Sequence, residues 1–157
     1  MATIKKKPSG YGQFGGFSPY GNVTALAFSL ATNASGAVID SDTTVAVASG
    51  DVIDLGELPE GMRLDDAQIL IKTGMTATVT GSLGFKYVDG DSTEVPQDAA
   101  YFINAGDLAT AGRLRANTGK LVTLPKAARL ILTTGGAANA KASDIKVIVS
   151  GELTGPR

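Results

Sequence analysis

The chain contains no cysteine and no histidine. The first absence excludes disulfides and thiolate metal sites. The second removes the usual general base, the commonest metal ligand and the Ser-His and Cys-His nucleophile pairs. Many enzyme classes lose their machinery at once, and no metal, cofactor or catalytic residue is expected. Net charge is also sparse. Lys and Arg number 14 against 15 Asp and Glu, a formal charge of −1, and the pI lies near 5.3. That balance argues against a dedicated nucleic-acid binder. Long apolar runs are missing too: none approaches the roughly 20 residues needed to span a bilayer, so no membrane partner is expected. The stretch "VTALAFSLATNA" (23–34) loosely mimics a signal-peptide core. Polar, Gly and Pro residues separate it from the preceding lysines, however, where a signal peptide has a short junction. Synthesis in the cytoplasm of the producing cell is the expectation.

What is present is a chain of 157 residues, enough for one domain with a real core. From residue 22 to 157 it reads as short strands punctuated by turn signals such as "NASG", "LPEGM", "VDGD", "NTGK" and "TTGG". In "MTATVTGSLGFKYV" (75–88), Ala77, Val79, Leu83, Phe85 and Tyr87 share one face, while Thr76, Thr78, Thr80, Ser82 and Lys86 share the other. That period of two fits a strand with one buried side, and Gly81 and Gly84 within it point to a bulge or a close backbone approach. "DAQILIKT" (66–73) alternates through Ala67, Ile69 and Ile71, and the short "TGM" link predicts a hairpin between the two. "ARLILTT" (128–134) and "DIKVIVSGEL" (144–153) repeat the pattern, the latter through Ile145, Val147, Val149 and Leu153. Weaker strands are expected over 23–31, 43–48, 51–58, 99–105 and 120–124. The one helical candidate is a turn within "DLATAGRLRA" (107–116), with Asp107 as its cap. Eight or nine short strands at such spacing predict an all-β sandwich or jelly roll, with a barrel as the alternative.

Several constellations invite a chemical reading. Asp89, Asp91 and Glu94 in "VDGDSTE" have the composition of a hard-cation loop, but the glycine falls at 90, too early for the EF-hand pattern. A solvated hairpin tip is the better account, as it is for Asp40 and Asp42 in "DSD". Asp65 and Asp66 are adjacent, so on a regular strand they point to opposite faces and make no acid–base pair. "GYGQFGG" (10–16) has neither the strand, the Gly-Lys-Ser/Thr ending nor the helix of a phosphate loop. Arg113 and Arg115 share a face if their segment is extended, where they serve as a solvated face or meet a carboxylate-bearing partner.

The opening stretch "KKKPSGYGQFGGFSPYGN" (5–22) is the least ordinary. Lys5, Lys6 and Lys7 lead into a run in which Tyr11, Phe14, Phe17 and Tyr20 recur at every third position among five glycines and two prolines. Such a segment forms neither a helix nor a central strand. Residues 1–21 are expected to be an extended arm whose rings dock on a partner. A plain disordered tail and a single-strand nucleic-acid binder come next, the latter disfavoured because three lysines are a meagre grip.

"DVIDLGELPEGMRLDDAQILIKTGMTATVTGSLGFKYVDGD" and "AARLILTTGG…ASDIKVIVSGELTG" together resemble the capsid decoration, or cement, proteins of tailed bacteriophages. The likeness lies in a "LG-LP-G" turn into an Ala-rich strand, a Thr/Gly-rich hairpin and a closing strand ending in Gly. The resemblance implies a β-sandwich or jelly-roll body, assembled as dimers or trimers over junctions between major capsid protein subunits on the virion surface. It supplies no catalytic residues. The alternative is a carbohydrate-binding or tail-associated sandwich module, and an enzyme ranks third.

Overall fold

The computed structural model describes residues 1–5 and 23–154. In chain order the strands are β1 (Thr3–Lys5), β2 (Val23–Thr32), β3 (Val52–Leu58), β4 (Met62–Thr73), β5 (Thr80–Tyr87), β6 (Asp98–Asp107), β7 (Gly112–Arg115), β8 (Val122–Thr123), β9 (Ala128–Gly135) and β10 (Ser143–Leu153). They form two sheets, one ordered β1-β3-β9-β5-β6 and the other β2-β10-β4-β7, with β8 also on β4. This is the expected all-β sandwich. Strand pairs are antiparallel except β1 on β3.

The period-two residues form the core as the sequence demands. Ile145, Val147, Val149 and Leu153 of β10 are buried against Leu83, Phe85 and Tyr87 of β5 and their neighbours in one cluster. Each such aliphatic side chain contributes roughly 1.5–3 kcal/mol of burial. Tyr101 reaches across the layers. From β6 of the first sheet its hydroxyl donates to the Leu64 carbonyl of β4 at 3.2 Å and accepts the Val122 N–H at 3.0 Å.

Four expectations are corrected. First, 75–88 is not one strand, and "TGM" is not a hairpin: β4 and β5 lie in different sheets, and 74–79 carries the chain between them. Thr78 sits at a φ of 69°, a left-handed value that interrupts the alternation, so Ala77 is exposed while Met75 and Val79 are buried. This crossover closes on Leu108, through Met75 N–H to the Leu108 carbonyl at 2.9 Å and Leu108 N–H to the Val79 carbonyl at 3.0 Å. Second, 107–116 has no helical turn. Asp107 Oδ1 accepts the Ala109 N–H at 2.8 Å in a tight turn, and β7 then pairs with β4, which offers a ladder that a one-turn helix cannot match.

Third, 43–48 is no strand; it contributes only the isolated bridge Ala37–Ala46. Fourth, Asp65 and Asp66 do not face opposite ways. The β4–β10 register slips between Ser150 and Gly151. The slip leaves Leu64 and Ala67 buried with both carboxylates outside, as a bulge requires. The bulge foreseen at Gly81 and Gly84 is present: the β5–β6 register shifts on both sides of Leu83. A Cβ at Gly84 would lie 2.0 Å from the Asp98 carbonyl oxygen, so only glycine fits there.

Candidate interaction surface

Of the residues singled out in the opening stretch, Lys6, Lys7, Tyr11, Phe14, Phe17 and Tyr20 lie outside the described residues. Lys5 is described, and it belongs to the body. Its N–H donates to Asp42 Oδ1 at 3.1 Å and its carbonyl accepts the Asp42 N–H at 3.0 Å. Ile4 beside it is buried in the core. Ala2 N–H donates to Asp51 Oδ1 at 2.9 Å, and Asp51 Oδ2 takes the Ala48 N–H at 2.9 Å. The first five residues are thus fastened into the sandwich. Lys5 ends the outermost strand of one sheet, and Val23 opens the outermost strand of the other, which lies against β3. Only the two flanks of segment 6–22, Lys5 and Val23, belong to the described residues.

The outer face of the second sheet carries several charged residues. Arg63 makes a bidentate contact with Asp65 (2.6 and 2.9 Å) and a further bond to Glu152 at 2.6 Å. The Asp65 hydrogen bond, followed by the two carboxylate charges, raises the guanidinium above its ordinary value. Asp66 pairs with Arg115. The two neighbouring carboxylates therefore serve as arginine partners and not as an acid–base couple. Exposed pairs of this kind contribute little to stability. Arg113 and Arg115 both face outward, as extension implied, and the register sets Arg113 beside Leu70 and Lys146.

The acidic tip 89–94 is organised by a residue that sequence reasoning passed over. Lys126 Nζ lies 2.9 Å from Asp89 Oδ1, donates to the Gly90 carbonyl at 2.8 Å and stands 4.9 Å from the centre of the Tyr87 ring. An internal ammonium holds the loop where a bound cation would. Asp91 is committed to the chain itself, its Oδ1 accepting the N–H groups of Gln97 (2.7 Å) and Ser92 (2.8 Å). Those bonds hold the Asp91 carboxyl below the usual range, and Lys126 does the same for Asp89. Burial would push Asp98 up, but the Lys120 ammonium and the Ala100 N–H outweigh it. Burial also raises the Tyr87 and Tyr101 hydroxyls. Only a pairing across 36 positions of sequence brings Lys126 to Gly90, and no local pattern signals it. Among the described residues, no group of three or more Asp or Glu could hold a metal ion. The features that stand out among the described residues are sheet edges and an outward ionic face.

No family model matches the sequence, and no curated protein matches it. Solved structures do. A chain in the capsid of Ralstonia phage GP4 superposes with a TM-score of 0.68 at 18% identity, covering 96% of this chain and 97% of that one. A chain of the cyanophage Pam1 capsid asymmetric unit follows at TM-score 0.58 and 19% identity, covering 94% and 97%. A chain in the acid-stable capsid of the Helicobacter pylori bacteriophage KHP30 reaches 0.51 at 14% identity, covering 85% and 94%. These similarities establish a shared fold.

Proposed function

We propose that this protein is a structural component of a bacteriophage virion, bound to the outer surface of the capsid and stabilising it by bridging major capsid protein subunits. The observation that carries the reading is the end-to-end correspondence with chains from three phage capsids, each matched over nearly its whole length. Those chains match this one as whole sandwiches and not as fragments of larger subunits. The resemblance of the β3–β5 and β9–β10 segments to cement proteins supports the same reading independently. In it, segment 6–22 presents Tyr11, Phe14, Phe17 and Tyr20 as anchors, with Lys5, Lys6 and Lys7 in a minor role. A segment that orders itself on its partner binds modestly at each copy, and repetition over a shell multiplies the attachment.

The test is to add the purified protein to expanded capsids lacking it and to image the particles. Saturable occupation of fixed lattice positions, with shells that withstand higher temperature, is the expected result. No binding, or decoration with no fixed position, would refute the proposal.

A further inference from the structure

We propose that the Asp89–Gly90 peptide is a modification site, where the chain isomerises to isoaspartate, and that the Lys126 ammonium holds this reaction in check. The inference is independent of the capsid reading. Asp89–Gly90 is the one place in the sequence where an Asp or Asn precedes glycine. Glycine has no side chain to shield its own nitrogen, so the Gly90 nitrogen is free to attack the Asp89 carboxyl carbon. That attack forms the N–Cγ bond, and the acid hydroxyl leaves with the amide hydrogen as water. The step therefore needs the carboxyl in its protonated form. Water then opens the five-membered imide. Opening at Cγ restores aspartate, whereas opening at the main-chain carbonyl leaves the chain running through Cγ as isoaspartate.

The loop leaves room for that ring. Gly90 sits at a φ of 99°, and a Cβ placed on it would meet nothing within 4 Å. The Asp89 side chain is 73% exposed, so water reaches it. What opposes closure is Lys126. Its Nζ lies 2.9 Å from Asp89 Oδ1 and donates to the carbonyls of Gly90 at 2.8 Å and Asp91 at 3.4 Å. One ammonium thus ties down the carboxylate and the residue that carries the attacking nitrogen. An adjacent cation also favours the ionised carboxylate, which is the unreactive form. The ammonium is itself anchored to the sandwich, 4.9 Å from the centre of the Tyr87 ring on β5.

The next aspartate in the loop shows the contrast. Asp91 Oδ1 accepts the Ser92 N–H at 2.8 Å and the Gln97 N–H at 2.7 Å. Main-chain donors hold that carboxylate, and its restraint does not depend on Lys126. Asp89 has Lys126 as its guard. Isomerisation there would add one carbon to the main chain and turn the α-carboxyl into the side group. The converted loop could not return to Lys126 with the spacing seen here.

The test is to incubate the full chain at neutral pH and body temperature and to follow isoaspartate at position 89. Digestion with a protease that cuts before aspartate but not before isoaspartate, read by mass spectrometry, reports it. Removing an adjacent opposite charge raises the neutral fraction of a carboxyl by about tenfold or more. Lys126→Met should therefore accumulate the product about tenfold faster than the natural chain. Lys126→Arg keeps the charge and should stay close to the natural rate. Asp91→Ala loosens the loop but leaves Lys126 on Asp89, so it should also stay slow, which separates the guard from general loop order. Adding Asp89→Glu to Lys126→Met should abolish the product. Equal rates with and without Lys126 overturn the inference. So does an Asp91→Ala chain that isomerises as fast as Lys126→Met, or product at other aspartates in place of Asp89.

Discussion

At Asn139 a single amide joins segments far apart in sequence. Its Oδ1 accepts the Thr76 N–H at 3.0 Å and the Thr76 hydroxyl at 3.2 Å. Its Nδ2 donates to Thr32 Oγ1 at 3.0 Å and to the Lys141 carbonyl at 2.9 Å. The side chain is buried, so removing it strands several polar groups away from water. Asn139→Ala should therefore destabilise the fold by about 2–4 kcal/mol in urea melts. Asn139→Asp should be at least as damaging at neutral pH, because a carboxylate would face the Lys141 carbonyl where an N–H now donates. A loss below about 0.5 kcal/mol for either variant would show that the network is dispensable.

The loop between β5 and β6 gives the element-scale counterpart. Asp89, Asp91 and Asp98 all have folded-state values below the ordinary carboxylate range. A depressed value means that the stabilisation is complete above the unfolded pKa, near 4, and disappears as pH falls through the lowered values. The loop should thus be indifferent to pH between neutrality and about 5 and should loosen below about 4. The N–H resonances of Ser92 and Gln97 report this directly and should titrate with a midpoint below that of an ordinary aspartate. Lys126→Met separates the two causes. Asp89 should return toward its ordinary value, while Asp91, held chiefly by backbone donors, should stay low. Equal shifts at both positions would contradict this assignment.

For the whole molecule, the fastening of residues 1–5 into the sandwich determines how segment 6–22 must be tested. Truncating residues 1–22 also removes β1 and the buried Ile4, a loss of roughly 2–4 kcal/mol. Any weakened attachment would then be confounded with instability. Replacing only 6–22 by a short Gly-Ser connection should hold stability within about 1 kcal/mol while weakening capsid attachment. Substituting Tyr11, Phe14, Phe17 and Tyr20 by Ala should reproduce most of that loss, at about 1–3 kcal/mol per buried ring and without strict additivity. Replacing Lys5, Lys6 and Lys7 should matter less at physiological salt, where exposed charges are screened. Binding that is insensitive to the rings but steeply salt-dependent would point to nucleic acid instead.

The class of fold was legible in the residues because a period of two is a local property: Ile145, Val147 and Val149 must share a face on any strand. Gly81 and Gly84 announced a bulge for the same reason, since the missing side chain is visible in the sequence. Sheet membership was not legible. β4 and β5 alternate as if paired, yet the left-handed Thr78 and the bonds from 74–79 to Leu108 send them to different layers. The outward facing of both Asp65 and Asp66 depends on a register slip against β10, and the place of Lys126 on a contact with a distant loop. Even the opening residues followed this division. Their glycines and rings were plain to read, but whether Ile4 belonged to an arm or to the core depended on β3 lying ready to pair with it. Alternation is set by each residue and its neighbours along the chain, whereas pairing is a competition among distant strands for the same hydrogen bonds, which only the assembled sandwich decides.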